Sequence, residues 1–183
     1  DDFKRINIDL THNIMDFSLR AGLKKVIHIS TTSVCGNERN HYGTDEEVEY
    51  GERIIDHYTR SKIEAEKVVA NFIDRYDLPA IILRPGYIWG PGDQTLIPFI
   101  VNGLKSKTLR LVDDGDNILS LTFIYNVVEA IMKSLTSGDI PGRIYTITDG
   151  SKIKSKRFIE DIIKLLGIDY KLSNIRYPLL YTS

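Results

Sequence analysis

Cysteine is nearly missing from this sequence: Cys35 is the single one among 183 residues, so no disulfide can form within the chain and a reducing compartment is the simpler setting. An excess of one charge is missing too. With 24 Lys and Arg against 25 Asp and Glu the formal net charge is −1, and the two signs are interspersed. That gives no broad attraction to phosphate backbones or anionic membranes, so neither nucleic acid nor a membrane is an expected partner. No apolar run reaches the length of a membrane span, and no signal-like segment opens the chain, so the expected location is cytoplasmic. Repeats and low-complexity tracts are absent. What remains, 42% hydrophobic residues over a length that suits one ordinary domain, is ample for a core.

What is present alternates between helical and strand periodicity. Phe3, Ile6, Leu10, Ile14, Phe17 and Ala21 recur at three- and four-residue spacing and predict an amphipathic helix over Phe3–Ala21, stopped by Gly22. Val26 to Ser30 is short, β-branched and almost continuously apolar, as suits a strand buried on both faces. Four hydroxyls, Ser30-Thr31-Thr32-Ser33, stand where that strand ends. Residues 37–51 are polar and glycine-punctuated and read as a surface loop. A helix is expected over 54–76, a strand over 78–83, and an irregular loop over 84–93. Further on come a helix over 96–104, a turn at 113–115, a strand over 119–124 and a helix over 127–135 capped by Asn126. A strand over 143–148 and a helix over 155–166, with Ser155 as cap and Gly167 as stop, complete the reading. Helices alternating with buried strands imply a parallel α/β sheet, whose ligands bind beyond the carboxyl ends of the strands.

The chemistry concentrates on the helix over 54–76. Tyr58 and Lys62 lie four apart and project from one face. A phenol titrating near 10 is a poor base at neutral pH, but a cation within about 4–6 Å favours the phenolate and makes the tyrosine a proton carrier. With ten tyrosines in the chain, one such pair arises by accident, and an exposed helix face is the plain alternative. Taken singly, Thr31 to Ser33 also read as an ordinary strand cap and Arg84 as a surface charge. Three stretches in order carry more than any one of them.

Those stretches, Ser30-Thr31-Thr32-Ser33-Val34-Cys35-Gly36, the Tyr58–Lys62 helix and Leu83-Arg84-Pro85-Gly86-Tyr87-Ile88-Trp89-Gly90-Pro91-Gly92-Asp93, resemble the extended short-chain dehydrogenase/reductase superfamily. This group contains nucleotide-sugar epimerases and dehydratases, 3β-hydroxysteroid dehydrogenases and dihydroflavonol reductases. Asn7-Ile8-Asp9-Leu10-Thr11-His12-Asn13 is similar to the family's Asn-Val-x-Gly-Thr-x-Asn helix start, with Leu10 for the glycine, and Cys35 replaces a tyrosine. The resemblance implies the C-terminal portion of a Rossmann-type doubly wound parallel sheet with a small α/β substrate-binding subdomain. On that scheme residues 1–85 form the dinucleotide-binding core, and 86–183 are mainly substrate-binding, with 117–137 returning to the core.

The same resemblance implies NAD or NADP as cofactor. Thr31 would hydrogen-bond the reacting substrate oxygen, Tyr58 act as acid/base, and Lys62 hold the nicotinamide ribose while lowering the phenol's pKa. Pro85, Gly86, Tyr87 and Ile88 would pack around the nicotinamide, with Asn7 and Ser30 also on the cofactor side; no metal is implied. The implied activity is oxidoreduction or epimerisation at a secondary alcohol or ketone of a nucleotide sugar or similar small molecule, in a homodimer built on the helices over 3–21 and 54–76. Alternatives are a non-catalytic nucleotide-sensing or protein-binding module, or an inactive structural fragment. Thr32 and Ser33 stand where the dehydratase branch carries Asp-Glu, which speaks against a 4,6-dehydratase, and Tyr125 stands where the family has an aspartate. Tyr58-Thr59-Arg60-Ser61-Lys62 and Tyr145-Thr146-Ile147-Thr148-Asp149-Gly150 lean toward the hydroxysteroid and flavonol branch. The glycine-rich turn that cradles a pyrophosphate at a helix N-terminus is not found in these residues. With an opening of Asp1-Asp2-Phe3, the expectation is a further segment upstream.

Overall fold

The computed structural model describes residues 2–36, 50–51, 54, 56–138 and 142–176. The loop expected over 37–51 therefore lies outside the described residues, apart from Tyr50 and Gly51. The chain divides into two compact units, Asp1–Gly86 with Tyr125–Ile147, and Tyr87–Ile124 with Thr148–Ser183. In this division residues 125–147 fall with the first unit.

In the first unit a π-helical turn, Lys4–Asp9, leads into α1, Leu10–Arg20. Strand β1, Val26–Ile29, pairs in parallel with β2, Ala80–Pro85, which pairs in parallel with β7, Ile144–Ile147. Every residue of β2 is buried, as expected of a central parallel strand covered on both faces. Helix α2, His57–Tyr76, starts three residues later than the sequence reading because Asp56 caps it, its carboxylate accepting from Thr59 N at 2.7 Å. That bond satisfies one orphan donor of the first turn and is worth about 1 kcal/mol. The core joins Met15 of α1, Val69 and Phe72 of α2, Val26, Ala80 and Ile82 of the sheet, and Leu78. Burying each of the larger side chains contributes roughly 1.5–3 kcal/mol.

The first two helices carry more apolar positions, among them Ile14, Phe17, Val69, Phe72 and Ile73, than one core-facing stripe would need, and the structure divides them. Phe3, Ile6, Leu10, Ile14 and Phe17, whose period predicts the first helix, all face outward, Phe17 being 63% exposed. The inward face carries Thr11, Met15 and Ser18 instead. Periodicity shows that a helix has an apolar face, but not what covers it. Conversely Val69 and Phe72, expected to be surplus to the core, are buried within it.

In the second unit β3, Tyr87–Trp89, pairs in parallel with β6, Leu121–Phe123, so the irregular loop predicted over 84–93 is in part strand. β4, Arg110–Val112, pairs with β9, Ser173–Ile175, and β5, Ile118–Leu119, with β8, Ile153–Lys154. Helices α3, Leu96–Lys105, and α5, Ser155–Leu166, cover a core of Ile100, Leu104, Leu109, Leu111, Leu121, Phe158 and Ile159. Asp93 caps α3, its carboxylate accepting from the backbone N of Thr95, Leu96 and Ile97.

Two predicted caps do not cap. Helix α4, Ile124–Thr136, begins directly at the end of β6, which places Asn126 inside its first turn. Lys154 takes the N-cap position of α5, while the Ser155 hydroxyl turns to the Gly115 carbonyl at 3.0 Å and Asn117 Oδ1 at 2.6 Å. Gly167 does end α5, at φ 62°, the left-handed conformation that glycine adopts without a Cβ penalty. No helix among the described residues is long and apolar enough to cross a membrane.

Candidate active site

The three parallel strands of the first unit end on one side of their sheet, and Ser30, Thr31, Lys62 and Gly86 stand at those ends. Ser30 continues β1, its backbone N donating to Leu83 O at 2.7 Å. Thr31 then caps the 3-10 turn Thr32–Cys35: its hydroxyl oxygen accepts from Ser33 N at 3.2 Å and donates to Ser33 Oγ at 3.2 Å. The strand-cap reading of these hydroxyls thus describes the bonds they make. Lys62 reaches from α2 to the same strand end, its Nζ donating to Ile29 O at 2.6 Å. Asn7, on the π-helical turn, donates its side-chain amide to Ser61 Oγ at 2.8 Å and so ties that turn to the residue before Lys62. Gly86 closes the neighbouring strand end, donating to Ile147 O at 3.2 Å.

Electrostatics correct one expectation. The Tyr58 phenol is raised above its ordinary value, not lowered, first by burial and then by the Asp56 carboxylate. The residue is 44% exposed and its ring packs edge-on against Phe3 at 6.2 Å, while the Lys62 ammonium is engaged by the Ile29 carbonyl. Burial in turn pulls Lys62 below its ordinary value, and Glu66 opposes that.

Sequence reasoning also missed groups beneath the site. Arg84 is no surface charge. It is 2% exposed and forks onto Glu66, itself 0% exposed, with Nη2 at 2.6 Å from Oε2. The signal for Glu66 was its place four residues after Lys62 and eight after Tyr58, on the same face. His28 Nε2 and Ser30 Oγ are buried without a hydrogen-bond partner among the described residues, two positions apart on β1 and so on one face of the sheet.

His28 makes a pH prediction. Burial, then the nearby Lys62, lowers its pKa from 6.5 to about 4. The folded state therefore keeps the imidazole neutral where the unfolded chain would bind a proton. Between those two values the unfolded state holds more protons, so stability falls as pH falls. Urea melts should show a loss on the order of 2 kcal/mol between pH 7 and pH 5 from this group, and His28→Leu should flatten that slope. An equally steep slope in the variant would refute the assignment.

Tyr87 and Ile88 belong to the second unit, both with exposed side chains. A shallow hollow of about 220 Å³ lies there, lined by residues from Ile88 to Thr95 and by Ile124. Asp149, which the sequence marks only as part of the Tyr145–Gly150 stretch, orders its rim: the carboxylate accepts from Trp89 Nε1 at 2.8 Å and from Phe123 N at 2.6 Å. Among the described residues no cluster of His, Cys, Asp and Glu could hold a metal ion.

A parallel α/β sheet with a Tyr-x-x-x-Lys helix beside a hydroxyl-bearing strand end defines a Rossmann-type oxidoreductase scaffold. Solved structures agree: dTDP-glucose 4,6-dehydratase from Streptomyces venezuelae, bound to NAD, superposes with a TM-score of 0.81 at 25% identity, over 96% of this chain and 55% of that one. Residues 1–179 match the 3-beta hydroxysteroid dehydrogenase/isomerase family, and the chain belongs to it, within the extended short-chain dehydrogenase/reductases. A 2-alkyl-3-oxoalkanoate reductase of Stenotrophomonas maltophilia is 30% identical over 91% of this chain and 52% of its own length. A 3 beta-hydroxysteroid dehydrogenase/Delta 5-to-4 isomerase of Mycobacterium tuberculosis is 28% identical over 94% of this chain and 48% of its own. The chain spans about half the length of the curated relatives it matches.

Proposed function

We propose that this chain supplies the catalytic part of an NAD(P)-dependent enzyme acting on a secondary alcohol or ketone, as dehydrogenase, reductase or epimerase. The observation that carries the reading is the convergence of Ser30, Thr31 and Lys62 at one strand end, with Tyr58 one helical turn before Lys62. The residues present fit a dinucleotide's nicotinamide ribose. Lys62 has two ammonium donors beyond the one given to Ile29, and the buried Ser30 hydroxyl has no protein partner among the described residues. When bound, the nicotinamide accepts or delivers the hydride.

The chain's own residues do the rest. Lys62 binds and orients, holding ribose hydroxyls at the end of β1. Thr31 re-aims its proton from Ser33 to the substrate oxygen. Tyr58, half exposed, gives its phenol proton to the oxygen of a ketone being reduced, and in the reverse direction the resulting phenolate takes that proton back from the substrate alcohol. Pro85 and Gly86 pack the nicotinamide; Asn7 acts indirectly, through Ser61. Because Thr32 and Ser33 provide no acid–base pair after Thr31, water elimination is not the proposed reaction. The substrate is a small hydroxy or keto compound, of hydroxysteroid or nucleotide-sugar type.

A second copy of the chain is the proposed cover for the outward stripe from Phe3 to Phe17. Five large apolar side chains in one row exceed the scattered exposure that is ordinary for a protein surface. One purified full-length sample tests both proposals. It should reduce NAD or NADP with a 3β-hydroxysteroid or a nucleotide sugar, followed by nicotinamide absorbance, and sediment as a dimer at micromolar concentration. Failure to turn over any secondary alcohol with either dinucleotide would overturn the enzymatic reading, and a monomer would overturn the dimer.

A further inference from the structure

Tyr58, Lys62 and Glu66 follow one another at four-residue intervals along α2, so their side chains form one stripe on a single helical face. The first two belong to the proposed chemistry, which assigns nothing to Glu66. Yet Glu66 is wholly buried, and Arg84 grips its carboxylate with two bonds, Nε to Oε1 at 3.0 Å and Nη2 to Oε2 at 2.6 Å. A two-bond fork fixes orientation as well as distance. Arg84 stands directly before Pro85 and Gly86 at the end of β2. The pair therefore bolts the stripe to the sheet end where Lys62 meets the Ile29 carbonyl.

A buried ion pair is an inefficient way to hold a helix on a sheet, since well-packed apolar side chains of similar volume often do so equally well or better. The charge itself has a use here. We propose that Glu66, clamped by Arg84, is the positioning residue for Lys62, fixing where its ammonium sits at the carboxyl end of β1. This rests on the reading of Lys62 as a cofactor-binding residue.

The surrounding groups leave this role to Glu66. Burial disfavours the Lys62 ammonium, and Glu66 is the charge that opposes burial there. His28 on β1 is held neutral at pH 7, with its pKa near 4. Burial raises the Cys35 thiol, 3.7 Å from Arg84 Nη1, and pushes the Tyr50 phenol up to about 12. Tyr58, on the same helix, is also raised. None of these carries a negative charge at neutral pH. Glu66 is therefore the charge among these groups that favours the Lys62 ammonium.

The test reads Lys62 directly, without turnover. In cofactor-free protein carrying a carbon-13 label at lysine Cε, the Lys62 resonance, assigned by its loss in Lys62→Arg, is titrated by NMR. In Glu66→Gln it should titrate lower by about one pH unit or more. The double variant Glu66→Leu/Arg84→Met, which leaves no buried charge unpaired, should shift the same way while retaining a cooperative thermal transition. An unchanged Lys62 titration in the folded double variant would overturn the proposal, and so would a double variant unable to fold, because the pair would then serve stability alone. If the titration moves but NAD(P) affinity does not, Glu66's hold on Lys62 stands and the reading of Lys62 as a ribose ligand fails.

Discussion

Tyr58→Phe should cut turnover of the full-length enzyme by about 10²–10⁴, the usual contribution of a positioned acid–base group, with dinucleotide affinity nearly unchanged. The substitution removes one oxygen and leaves its surroundings in place. The ring still packs on Phe3. The Asp56 cap at the start of α2 and the backbone carbonyl that accepts from Ser61 Oγ at 2.6 Å do not involve the hydroxyl. A fall in rate therefore reports the lost proton carrier and not a displaced helix. Steady-state kinetics with a calorimetric cofactor titration separate the two effects. Turnover close to that of the unmodified enzyme would remove Tyr58 from the mechanism.

Lys62→Ala should strike binding first. Each hydrogen bond to a charged group is worth about 1.5–3 kcal/mol, so losing the ammonium should raise the dinucleotide Kd by about 10–100-fold, with kcat falling as well because the nicotinamide is less well held. The structure alters the reason expected from sequence. The ammonium is engaged by Ile29 O and the phenol is raised rather than lowered, so placement of the ribose, more than tuning of Tyr58, is what the variant is expected to lose. Calorimetry decides: an unchanged Kd would remove Lys62 from the cofactor site.

How much of this was legible depends on the range over which each signal acts. The Tyr58 and Lys62 stripe and the Gly167 stop are properties of one helix, so spacing and residue type suffice to find them. The parallel α/β class follows from the near-continuous apolarity of Val26 to Ser30 directly after a helical segment. Arg84 could not be placed that way, because its partner Glu66 lies eighteen positions earlier in the chain, and a charge looks the same in sequence whether solvated or paired in a core. Asn126 and Ser155 have the residue types of caps, but tertiary packing decided their backbone settings: β6 runs into α4 with no intervening turn. The first helix shows the limit most clearly. Its strongest periodicity marks the outward stripe, while the inward face is held by the less apolar Thr11, Met15 and Ser18.

Gly36 and Gly51 come so close that a Cβ on Gly51 would stand 2.6 Å from Gly36 Cα, and Gly51 N donates to Val34 O at 3.0 Å. Any side chain at Gly51 would meet backbone that cannot yield, and Gly36, at φ 74°, is in addition in a conformation that favours glycine. The two glycines thus clasp the ends of the stretch between them immediately after the Thr31 turn. A residue larger than glycine at either position would therefore force the two backbones apart, and the displacement would begin next to the Thr31 turn.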